Sequence, residues 1–139
     1  MSRNVLVGVG VIIVQDSKTL LTKRQGSHGE GSYGSIGGHL EFGETPIDAL
    51  KREAMEELGV ELENINFRVA TNMIKYGKHY LDLTFTASIK SGVPFIKEPE
   101  KITELAWFEL NNLPTPLFEP VRIGLESLNT GQKYFEVKE

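Results

Sequence analysis

Apolar and polar positions alternate along this chain in two rhythms. Val5 to Val14 is β-branched and almost wholly apolar, which predicts a strand buried on both faces. Gly8 and Gly10 interrupt it and mark a bulge or a close backbone approach. Gln15 to Lys18 supplies a turn, and Thr19 to Lys23 a second strand, so the two form a hairpin. Gln25 to Ser32 is rich in Gly and Ser and reads as a surface loop. A short strand follows around Tyr33 to Ile36, then a glycine turn. The period changes to helical at Ile47, Leu50, Ala54 and Leu58, which predicts a helix over Pro46 to Leu58 with these four toward the core. Thr45 suits the N-cap, Pro46 the first helical position and Gly59 the residue that ends the helix.

Beyond the helix the strand rhythm returns. Ile65 to Lys75 and His79 to Lys90 predict a long hairpin turned at Tyr76-Gly77-Lys78. Leu81, Leu83, Phe85 and Ala87 alternate with Asp82, Thr84 and Thr86, which predicts one buried face. Ser91 to Lys101 is a loop with two prolines, Thr103 to Glu109 a strand, Phe118 to Leu128 a second helix and Tyr134 to Val137 a last short strand. Strands flanked by two helices imply an α/β layered architecture. With 139 residues, no repeat and no linker, the chain reads as one domain spanning residues 1–139.

Composition narrows the chemistry. The net charge of −4 comes without a basic run, so a nucleic-acid polymer is not an expected partner. The absence of cysteine excludes disulfides and thiol catalysis. Met1 to Asn4 runs directly into an apolar strand without a signal-peptide pattern, and no stretch is long enough to span a membrane. The expectation is a soluble, cytoplasmic protein without a membrane partner.

The first helix carries an unusual charge pattern. Glu53, Glu56 and Glu57 are related by three and four residues and cluster on one face, where like charges repel. Hard divalent cations such as Mg²⁺ take several oxygen ligands, and carboxylates beside a loop that exposes backbone carbonyls offer them. On the helix alone, an acidic solvated face explains the pattern equally well.

The spacing around it goes further. From Gly38 to Val60 the chain reads Gly, five residues, Glu44, seven residues, Arg52-Glu53, an apolar position, one residue, Glu56-Glu57, one residue, Gly59 and an apolar residue. This stretch resembles the Nudix box at every fixed position. Arg24-Gln25-Gly26-Ser27, the run Gly37 to Glu44, Glu98-Pro99-Glu100-Lys101 and Trp107 extend the resemblance to the MutT-like subgroup. Within it they look closest to triphosphate diphosphatases that act on dGTP-like and thiopurine nucleotides. Many members carry Leu-Pro where this chain has Ser35-Ile36, which reshapes the loop beneath the base.

The resemblance implies an α/β/α sandwich with a mixed sheet. It implies Mg²⁺, with Mn²⁺ as the alternative, and hydrolysis of a nucleoside triphosphate to a monophosphate and pyrophosphate. Glu56 and Glu57 are then the central metal ligands. Glu53 is a ligand or the general base, and a backbone carbonyl around Gly37 or Gly38 completes the metal shell. Arg52 orients these groups through Glu44 or Glu56; a plain surface ion pair is the competing reading. Arg24 and Lys23 end the second strand, where either clamps phosphate or serves as surface charge. His39 either contacts substrate or fills space, and the same question with less weight applies to His28 and His79. Glu98 or Glu100 supplies a further base or ligand, or is solvated charge. Trp107 reads as strand packing, and Phe118 as a weaker candidate for lining a base pocket. A homodimer is the expectation where relatives dimerise. The rival functions are hydrolysis of ADP-ribose or a nucleotide sugar, and a nucleotide-binding module without catalysis.

Overall fold

A computed structural model describes residues 3–26 and 29–139. Ten elements follow in order: β1 (Leu6–Gln15), β2 (Lys18–Arg24), β3 (Tyr33–Gly34), β4 (Ile36–His39), α1 (Pro46–Leu58), β5 (Glu61–Lys75), β6 (Lys78–Ser91), β7 (Ile102–Glu109), α2 (Glu119–Thr130) and β8 (Tyr134–Lys138). The strands form a mixed sheet in the order β3-β2-β1-β6-β5-β8, with β4 also paired to β1 and β7 to β2. β1 runs parallel to β6 and antiparallel to β4. Its end, at Val14 and Gln15, hands over to β2. This is the α/β/α sandwich expected from the resemblance.

Residue alternation along β1 divides the molecule into its layers. Val9, Val11 and Ile13 pack with Leu50, Ala54 and Leu58 of α1, whereas Ile12 points the other way, to Val121 and Leu125 of α2. β1 is therefore buried on both faces, as its apolar run predicts. Fully burying each large aliphatic side chain stabilises the fold by about 2 kcal/mol. α1 is fixed locally as well. Thr45 Oγ1 accepts from the Asp48 N–H at 3.1 Å, and Gly59 takes the left-handed conformation at φ 68° that ends the helix.

Four expectations change. Ile47 is 40% exposed, and burial begins at Ala49, because the core cluster takes Ala49, Leu50, Ala54 and Leu58 from α1 and leaves Ile47 outside it. The glycine turn is a strand: Gly37 and Gly38 belong to β4 and pair with Gly10 and Val9 of β1. Only a glycine fits at 37, where a Cβ would stand 2.7 Å from the Val9 carbonyl oxygen. β5 starts at Glu61 rather than Ile65, since its pairing with β6 continues past two irregularities to Ser91. The last change bears on function. β6 is covered on both faces: Phe85 and Ala87 join the α1 core, while Tyr80 and Thr84 on the opposite face are buried too and Leu81 is exposed. The polar-looking face of β6 thus lies toward α2 rather than toward solvent.

Candidate active site

α1 presents its carboxylates to β4. Gly37 N–H donates to Glu57 Oε2 at 3.4 Å, and a Cβ on Gly38 would stand 2.6 Å from Glu53 Oε1. The missing side chains therefore let two carboxylates rest against the β4 backbone. Burial pushes Glu57 up to about 9, helped by its hydrogen bond with Glu53 and the charge of that group, with Glu98 adding repulsion; the Gly37 N–H opposes the shift. A buried carboxyl beside another carboxylate is the arrangement that a hard cation would relieve. Among the described residues, no three acidic or histidine side chains converge as a ready cation cage. Glu56 is exposed and turns toward Arg52.

Arg52 is the hub of this face. Its Nε and Nη2 donate to the two carboxylate oxygens of Glu44, at 3.2 and 2.9 Å. Its Nη1 donates to Glu53 at 2.8 Å and to Glu56 at 3.3 Å, and Glu41 lies at 3.8 Å. The Arg52 guanidinium holds the Glu44 carboxyl below the usual range, through hydrogen bonding first. Glu44 in turn accepts from the Glu41 N–H at 2.9 Å, which ties the turn before α1 to the same point. The planar fork suits this task, since it fixes the direction of several carboxylates at once.

A cavity of about 160 Å³ opens beside the glycines, between β1, β4, β6 and the start of α2. Gly8 and Gly10 form part of its lining and contribute no side chains. Phe118 caps the start of α2 and stacks against Tyr76, centroids 5.6 Å apart. The Arg24 guanidinium lies 3.8 Å from the centre of the Phe118 ring. Burial lowers its pKa, while the charge of Glu57 raises it, so Arg24 stands between the aromatic wall and the carboxylates. His39 lines the cavity as well, with Nε2 3.0 Å from the Tyr80 hydroxyl.

The remaining candidates separate by position. Lys23 pairs with Glu104 at 3.3 Å on the surface, and Glu104 also accepts from the Tyr33 hydroxyl at 3.2 Å. Glu98 faces Glu57 closely enough to repel it, whereas Glu100 is exposed. Trp107 sits on β7 opposite Leu20, is 37% exposed and does not line the cavity. His79 contacts Asn72 at 2.8 Å. His28 and Ser27 lie outside the described residues, as does that part of the Gln25 to Ser32 loop. Tyr76 and Asp82 line the cavity without having been singled out by the sequence. For Asp82 a signal existed: aspartate is disfavoured in the middle of a strand.

A family model described as NUDIX domain matches residues 5–126, and the chain belongs to that family. Its fold overlays a MutT NUDIX hydrolase from Burkholderia pseudomallei with a TM-score of 0.85 and 36% identity, covering 88% of this chain and 97% of that one. An ADP-ribose pyrophosphatase of Methanocaldococcus jannaschii is 30% identical over 119 residues, 84% of this chain and 69% of its own length. The mitochondrial NAD(P)H pyrophosphatase NUDT13 of Mus musculus is 31% identical over 119 residues, 85% of this chain. Those residues are 34% of the mouse protein, so this chain spans about a third of that relative's length.

Proposed function

We propose that this chain is a divalent-metal-dependent hydrolase of nucleoside triphosphates that releases a nucleoside monophosphate and pyrophosphate. One observation carries the reading. The paired carboxylates Glu53 and Glu57 rest against Gly38 and Gly37, and those glycines line, together with Arg24, the aromatic-walled cavity beside them. Phosphates and base would each find a fitting surface within one continuous site.

The chain's own groups divide the work. Phe118 and Tyr76, stacked on each other, wall the pocket that takes the base, and Arg24 meets phosphate oxygens beside that wall. Mg²⁺, or Mn²⁺ in its place, would be held by Glu53, Glu56, Glu57 and the Gly38 carbonyl, and supplies charge neutralisation on the phosphates. Glu53 serves as a ligand or as the base that takes the proton of the attacking water. The water oxygen bonds to one of the two phosphorus atoms of the cleaved linkage as the bridging oxygen leaves with the other fragment, giving the monophosphate and pyrophosphate. Arg52 keeps Glu53 and Glu56 aimed, and touches no substrate atom.

A second reading keeps the chemistry and changes the substrate to a diphosphate-linked nucleotide. The names of the relatives, an ADP-ribose pyrophosphatase and an NAD(P)H pyrophosphatase, favour it. A nucleotide panel with Mg²⁺ and Mn²⁺ and identified products separates the two: pyrophosphate release marks the triphosphate reading. Glu56→Gln and Glu57→Gln should each cut turnover about 10²- to 10⁴-fold while leaving the fold intact. Near-normal rates for both variants at saturating Mg²⁺ would overturn the assignment.

A further inference from the structure

We propose that Asp82 reads the base, its carboxylate accepting two neighbouring N–H groups and so selecting guanine-type nucleotides. This inference rests on the nucleotide reading of the site above. It does not depend on which phosphate bond is cut.

Asp82 sits near the middle of β6, on the face directed at α2, and lines the cavity. It pairs in register with Gly8 of the parallel β1, and a Cβ on Gly8 would stand 3.3 Å from Asp82 Oδ2. Tyr80, Met73 and Val121 border the same space, and Thr84, Arg24 and His39 are polar members of its lining. Thr84 Oγ1 donates to Asp82 Oδ1 at 3.2 Å, and no cationic side chain pairs with it among the described residues. An ionised carboxylate offers about four lone-pair positions, so one hydroxyl leaves it far from satisfied. Burial pushes its pKa up to about 6, which leaves it ionised at neutral pH but at a cost. Folding does not need a carboxylate there, since strand centres favour β-branched and aromatic side chains. A ligand that donates to it would recover that cost.

Its place fits a base and not a phosphate. Gly38 pairs with Val9, and Gly8 with Asp82, so Asp82 lies two strand spacings from the Gly38 backbone, about 10 Å. That leaves room for a sugar between. A carboxylate presents two acceptors side by side. Guanine presents N1–H and the N2 amino group side by side as donors. Adenine and cytosine each offer a donor next to an acceptor, and hypoxanthine lacks the amino group.

Calorimetry of the whole chain with GMP, IMP, AMP and XMP, which hold no anhydride to cleave, tests the assignment at pH 7.5. GMP should bind about 10- to 100-fold tighter than IMP or AMP, the worth of one charge-assisted hydrogen bond. Asp82→Asn keeps the shape but offers one acceptor and one donor, which matches the N1–H and C2 carbonyl of xanthine. That variant should lose about 10- to 100-fold for GMP and gain for XMP. Equal binding of GMP and IMP by the unaltered protein, no binding of any of the four, or an unchanged ranking in Asp82→Asn would each overturn the proposal. The first comparison needs no variant to fold. A GMP preference without triphosphate turnover would sink the proposed reaction and spare Asp82. Turnover that ignores the base would do the reverse.

Discussion

The two halves of the candidate site are built on opposite principles. The carboxylate face draws on Gly37 to Glu57, a single continuous stretch, and holds its geometry with local contacts. Arg52 reaches Glu53 and Glu56 within one helical turn and Glu44 eight residues back. The cavity collects Gly8, Arg24, Tyr76, Asp82 and Phe118 from five separate segments. The first half is crowded with charge and rigidly tethered. The second is largely apolar, walled by rings and shaped by absent side chains. A chemistry that stays constant suits the first construction, and a specificity that must vary suits the second, because one residue in the cavity can change without disturbing α1.

That contrast predicts how the two halves respond to damage. Breaking the hub should hurt most. Arg52→Met frees Glu44, Glu53 and Glu56 together, and kcat should fall about 10²-fold with KM little changed. Arg52→Lys keeps the charge but not the fork, and should recover only part of the loss. A KM effect without a kcat effect would place Arg52 on the substrate side instead. Damage to the cavity should read the other way. Phe118→Ala removes the stacking wall, so KM for the nucleotide should rise about 10-fold while kcat holds, a split that steady-state kinetics resolves.

The smallest effect is on stability. Burial and the neighbouring Glu53 raise the Glu57 pKa to about 9, so folding favours its protonated form. Its folded pKa is raised, so this contribution is full below about 4.5 and is lost as pH rises through about 9. In a metal chelator, melting should therefore drop by roughly 2–5 °C between pH 6 and pH 8.5. Added Mg²⁺ should shrink that drop, since it favours the deprotonated form. A chelated protein that melts higher at pH 8.5 than at pH 6 would show that Glu57 is not protonated in the fold.

The same contrast explains what could be read from the sequence. α1 came out with its observed bounds because caps are local: Thr45 and Gly59 act within a few residues of the backbone they satisfy. β5 began four residues early because pairing with a distant strand extended it. Arg24 and Phe118 were visible as candidates by residue type, yet nothing in the chain order places a guanidinium from β2 over a ring that opens α2. Asp82 read as a solvated position on an alternating strand. The sheet order puts that face under α2 and opposite Gly8, and no local pattern carries that information.

Sequence alone therefore determined the NUDIX stretch, the helix that bears its carboxylates, the α/β class and the strands' approximate positions. These depend on spacings of a few residues, within reach of caps, periodicity and neighbouring charges. The tertiary structure decided that the paired glycines are a strand edge, that Arg52 gathers three motif glutamates, and that Asp82 lines the cavity. Those outcomes depend on which strands become neighbours, and strand neighbours are chosen by the packing of the whole chain.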